Sequence, residues 1–208
     1  MIQYALRHQG HTLRHRRRAA LRGQRRSWIY ATLGIMALLL LAESVFWRAY
    51  YPLFHVRTVE TYAREYGLDP FLLAAVVRVE SGYDRWAVSS KGARGLMQVM
   101  PETGYWAAEI LGMKGFDPDH LFEPEVNLRI GTWYLARLYR EFDGSRVLAL
   151  AAYNSGATRV REWLAQGDWD GTEKGVKDIP YPETREFVIK VLGHAERYRR
   201  LYRKTITF

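Results

Sequence analysis

Acidic side chains placed to handle a proton are the first hint of chemistry in this 208-residue chain, and Glu80 stands out among them. It follows Val76, Val77, Arg78 and Val79, in what the apolar spacing predicts to be the last turn of a helix over 70–81. Apolar neighbours and the negative end of the helix dipole both disfavour a charged carboxylate there. A carboxylic acid that keeps its proton near neutral pH suits glycosidic bond cleavage, because the leaving oxygen must collect a proton as the bond breaks. Taken alone, a glutamate at a helix end is more commonly exposed or paired with an arginine, so Glu80 needs neighbours to become a site. Asp84 is the nearest second carboxylate, but an aspartate in the turn after Gly82 more commonly bonds backbone amides.

The neighbours are VESGYDRWAVSSKGARGLMQVMPETG over 79–104, ALAAYNSG over 149–156 and IPYPETREFV over 179–188. Gly95 would let the backbone approach a ligand closely, and the Gln98 amide can both donate and accept. The alternative for the same residues is a capped turn with Met97 in the core. Tyr153 ends an apolar run and its hydroxyl needs a partner.

In order and spacing these stretches resemble the lytic transglycosylases of the soluble lytic transglycosylase (SLT) type, over about 58–203. The matching motifs are Glu80-Ser81, Gly95-Leu96-Met97-Gln98, Ala152-Tyr153-Asn154, and Ile179-Pro180-Tyr181 followed by Glu183-Thr184-Arg185. The resemblance implies an all-α, lysozyme-like domain of the goose type that acts on the glycan strands of peptidoglycan. It implies that Glu80 protonates the oxygen between N-acetylmuramic acid and N-acetylglucosamine, then takes the proton of the muramic C6 hydroxyl to leave a 1,6-anhydro end. Such a route needs one carboxylate and no cofactor or metal, since the substrate supplies what a second carboxylate supplies in ordinary glycosidases. The matched positions make Ser89, Met97, Gln98, Tyr153, Asn154 and Glu183 the expected substrate-binding set. One departure is Arg85-Trp86, where the family often has proline and a small polar residue, a change expected at the cleft rim.

The elements that would hold these residues are helical throughout. Beyond the segment over 70–81, the pattern predicts helices over 58–66, 101–111, 124–142, 145–153, 157–165 and 182–204. Residues 83–99 and 166–180 read as irregular chain, and no convincing period-two run occurs.

Charge adds a location. Arg7, Arg14, Arg16, Arg17, Arg18, Arg22, Arg25 and Arg26 carry most of the +9 net charge, leaving 23 basic against 22 acidic residues beyond Trp28. The nearly neutral body lacks the basic surface for tracking a nucleic acid backbone. Residues 28–47 are apolar and, at about 1.5 Å per residue, just long enough to span a bilayer, with Trp47, Tyr50 and Tyr51 as an interfacial belt. The arginines before the span place 1–27 in the cytoplasm and, after a connector over 48–57, a catalytic domain over 58–204 outside the inner membrane. A cleaved signal peptide is the competing reading of the same pattern. Absence of cysteine excludes disulfides and thiolate chemistry, and the six histidines show no metal-ligand spacing. A non-catalytic wall-binding scaffold of an envelope assembly is the alternative function.

Overall fold

A computed structural model describes Tyr30 and residues 32–39, 41–43 and 45–204, so the basic tail over 1–27 and the first two residues of the expected span lie outside the described residues. Two compact units divide at Pro52 and Leu53. In the first, the 19-residue helix α1 (Thr32–Tyr50) has a mean hydropathy of 1.5 and no buried residue among those described, and it is long and apolar enough to cross a membrane. It runs on past Trp47 to Tyr50, and the rings of Phe46, Trp47, Tyr50 and Tyr51 cluster at its end.

In the second unit, proline and glycine set the helix boundaries. Helices α3 (Pro70–Ser81), α4 (Pro101–Ile110), α5 (Pro124–Glu141) and α8 (Pro182–Tyr202) each begin on a proline, whose missing N–H costs nothing in a first turn. The remaining helices are α2 (Val56–Tyr66), α6 (Arg146–Ser155) and α7 (Ala157–Gln166). Asp69 caps α3 by accepting from the Phe71 N–H at 2.9 Å, and Gly82 ends it in the left-handed conformation. Helix α2 starts before the expected residue 58, and a short 3-10 turn at Pro118–Phe122 occupies chain for which the sequence suggested no element. Among the described residues there is no β-strand, only isolated bridges of Arg94 with Val88 and Val99.

Helix α3 is the centre of the unit, with every side chain from Phe71 to Val77 buried. Helix α8 runs antiparallel beside it: Asp69 at the start of α3 pairs with Arg199 near the end of α8, whereas Glu80 at the end of α3 faces Glu183 in the first turn of α8. The apolar run of α6 is covered from Ala149 to Ala152, which makes it the second core helix. Trp169 and Ile179, from the irregular chain over 167–181, complete that core.

Candidate active site

Glu80 sits where the buried length of α3 meets the surface, half-buried and with no hydrogen-bond or ion-pair partner among the described residues. Burial, and next the charge of Glu183, push its pKa from 4.5 up to about 8. The carboxyl is therefore mostly protonated at neutral pH. Next to it, Ser81 Oγ lies 2.9 Å from the Leu96 carbonyl and 3.1 Å from that of Val77, and it accepts from the Tyr83 N–H. This hydroxyl ties the end of α3 to the Gly95–Gln98 loop.

That loop is built around a residue the motifs did not single out. Asn127, fully buried on α5, accepts from the Met97 N–H at 2.8 Å and donates to the carbonyls of Arg94 and Leu121, each at 2.8 Å. Gly95, with φ of 72°, is demanded by this packing: a Cβ there would stand 2.1 Å from the Leu121 oxygen and 2.4 Å from Asn127 Nδ2. The close approach that its glycine permits is to the chain's own backbone.

The expected substrate-binding residues divide by what their atoms already do. Met97 is 0% exposed, its sulfur against Gly131 and 3.9 Å from Thr132 Oγ1, so only its backbone can contribute outside the core. Gln98 spends both amide hydrogens on the carbonyls of Ala87 and Gly95, at 3.1 and 3.0 Å, which leaves its side-chain oxygen as an acceptor. Ser89 Oγ accepts from the N–H groups of Ala93 and Lys91 and retains its own hydrogen to donate. Asp84 accepts from the Trp86 N–H at 2.9 Å, the backbone role expected of it.

Two further groups come from α6 and α8. Tyr153 reaches across to donate to the Met97 carbonyl at 2.8 Å, and burial, then the nearby Glu80 carboxylate, raise its pKa well above the usual phenol value. Asn154 Oδ1 accepts from Thr184 Oγ1 at 2.7 Å, which fixes the end of α6 to the turn of α8 that carries Glu183. The Asn154 amide nitrogen has no partner among the described residues. Glu80, Tyr153 and Glu183 thus converge from three helices, with the Gly95–Gln98 loop at their base. Tyr153 also begins an aromatic ladder, its ring 5.6 Å from Tyr134, which is 6.2 Å from Trp106.

A separate cavity of about 480 Å³ includes Asp69, Arg146, Glu173, Glu196 and Arg199 in its lining. Asp69 and Glu80 stand at opposite ends of α3, about 16 Å apart at 1.5 Å per residue. Its charges are already matched, Arg146 with Glu173 and Arg199 with Asp69 and Glu196. Among the described residues no group of three or more histidine, aspartate or glutamate side chains is arranged to hold a metal ion.

Comparison with known proteins identifies the family and the fold. The family model described as the transglycosylase SLT domain matches residues 57–175. The soluble lytic murein transglycosylase of Salmonella typhimurium is 37% identical over 152 residues, 72% of this chain and 23% of that protein. The membrane-bound lytic murein transglycosylase C of Actinobacillus pleuropneumoniae is 36% identical over 138 residues, 61% of this chain and 36% of that one. Among solved structures, an inactive mutant of lytic transglycosylase Slt from Pseudomonas aeruginosa has a TM-score of 0.66 at 36% identity, over 73% of this chain and 25% of that chain. The 70-kDa soluble lytic transglycosylase in complex with bulgecin A has a TM-score of 0.69 at 32% identity, over 77% and 26%. The chain spans 23% and 20% of the Salmonella and Escherichia coli soluble relatives, so the match is to one domain of longer proteins. The all-helical, lysozyme-like fold expected from the sequence is the one found, and the chain belongs to the transglycosylase SLT domain family.

Proposed function

We propose that the chain is a membrane-anchored lytic transglycosylase that cleaves peptidoglycan between N-acetylmuramic acid and N-acetylglucosamine. The observation that carries this reading is Glu80, a half-buried carboxyl with no partner among the described residues, its proton held to about pH 8, facing Tyr153 and Glu183. The protonated carboxyl donates to the glycosidic oxygen as the bond to the muramic C1 breaks. The carboxylate then takes the proton of the muramic C6 hydroxyl as that oxygen closes on C1. One proton leaves Glu80 and one returns, so no water is consumed. The Pseudomonas relative described as inactive carries glutamine in place of a glutamate, a change that keeps shape and removes the acid.

Ser89, Gln98 and Asn154 bind the strand through the atoms their internal bonds leave open: a hydroxyl hydrogen, an amide oxygen and an amide nitrogen. Met97 acts from below, through the backbone that Tyr153 and Asn127 hold. The length and apolar character of helix α1 support its role as anchor, and the arginines before it support a cytoplasmic tail with the domain over 58–204 on the wall side of the inner membrane.

The test is mass spectrometry of the soluble products released from purified peptidoglycan by the full chain in detergent. Fragments ending in 1,6-anhydromuramic acid support the reading. Fragments ending in a reducing sugar mean hydrolysis, and binding without release means a scaffold.

A further inference from the structure

Trp106 lies on α4, well away in sequence from Glu80, yet its ring is the outer rung of the aromatic ladder that starts beside that carboxyl. It is 37% exposed and rests at 4.9 Å on Trp133, which is buried at 7%. An exposed indole braced by a buried one is a rigid apolar plate, and pyranose rings present apolar faces of C–H groups to such plates. Above it stands Arg137, one turn beyond Trp133 on α5, with its guanidinium 5.0 Å from the Trp106 ring centre. Arg137 is exposed and has no ion pair among the described residues; the nearby Glu141 carboxylate is taken by Arg161. The site therefore offers a partly open indole and, lying over its ring, a planar cation with five donors and no ion pair among the described residues.

We propose that Trp106 and Arg137 form an accessory subsite that binds an amino sugar carrying an acidic peptide, with the sugar on Trp106 and a peptide carboxylate on Arg137. The proposal rests on the peptidoglycan reading above and names which part of that polymer this pair distinguishes. A strand whose peptide carboxylates are masked as amides would use Trp106 alone. The pair therefore gives a preference for strands whose peptides carry free carboxylates over amidated ones, and Trp106 adds to the grip on the strand.

The experiment measures initial rates for the full chain in detergent on soluble peptide-bearing glycan fragments, with the peptide carboxylates free or converted to amides. Trp106→Ala raises KM by roughly threefold to tenfold on both substrates, the range of one aromatic stack, with kcat unchanged, and Trp106→Phe restores most of the loss. Arg137→Met raises KM about threefold on the fragments with free carboxylates alone, as expected of one exposed charge pair. Equal effects of Arg137→Met on both substrates, or an unchanged KM for Trp106→Ala, overturn the proposal. So does a loss in Trp106→Ala that disappears when rates are scaled to the folded fraction. A wild-type chain that releases nothing contradicts the enzymatic reading instead. The same variants are then read by co-sedimentation with insoluble peptidoglycan, where weaker binding of Trp106→Ala supports the subsite and undiminished binding overturns it.

Discussion

Replacing Glu80 with glutamine should stabilise the protein in alkali and leave it unchanged in acid. The native carboxyl ionises near pH 8, whereas in the unfolded chain it ionises near 4.5. Between those values the native state holds a proton that the unfolded state has lost, so wild-type stability falls as pH rises through that window and levels off above it. Each pH unit is worth about 1.36 kcal/mol, so the window caps the loss at about 5 kcal/mol. Water reaching the half-buried carboxylate lowers this to roughly 2 kcal/mol, since effective dielectric constants near ~20 describe such sites better than a dry interior. For a chain of this size that corresponds to about 4–8 °C in Tm. Glutamine keeps the shape and never ionises. Thermal melts of the wild type and Glu80→Gln in detergent should therefore coincide at pH 4 and separate by several degrees at pH 9, with the variant higher. Curves that stay parallel across that range would refute the argument that burial holds the proton on Glu80.

Three further outcomes follow from the surroundings of that carboxyl. Glu183→Gln removes the negative charge that raises the Glu80 pKa, so the alkaline limb of the pH–rate profile should move to lower pH; a limb that stays put would show that the two groups do not interact. Asn127→Ala strips partners from the Met97 N–H and the Arg94 and Leu121 carbonyls, all in or beside the core, and should cost at least about 3 kcal/mol in urea unfolding. Gly95→Ala meets both a left-handed backbone and a 2.1 Å contact with the Leu121 oxygen; a drop in Tm of more than about 5 °C is expected in a thermal melt.

Helix boundaries were legible because proline and glycine act through their own backbones, as at Pro70 and Gly82, whatever the rest of the fold does. Glu80 was legible for a related reason: its position at the end of an apolar helix already implies an environment hostile to charge. Its coupling to Glu183 was not, because it depends on α8 returning antiparallel to α3, a contact between residues about a hundred positions apart. Asn127 escaped notice because one asparagine in an amphipathic helix looks like any other until the loop that needs its three hydrogen bonds is placed against it. Gln98 shows the converse. Its amide suited a sugar, but a turn with φ of 48° uses both of its hydrogens to close itself. Trp169 and Ile179 read as loop from the glycines and aspartates around them, and only the packed structure reveals them as core.

The central claim is that the proton on Glu80 breaks the glycosidic bond, and the most direct measurement is the initial rate of anhydro-ended fragment release by the wild type and by Glu80→Gln. Far-ultraviolet circular dichroism of the same samples establishes equal folding. The account predicts a loss of at least about 100-fold with an unchanged spectrum, the scale of a missing general acid. A variant that releases the same products within about threefold of the wild-type rate would contradict it.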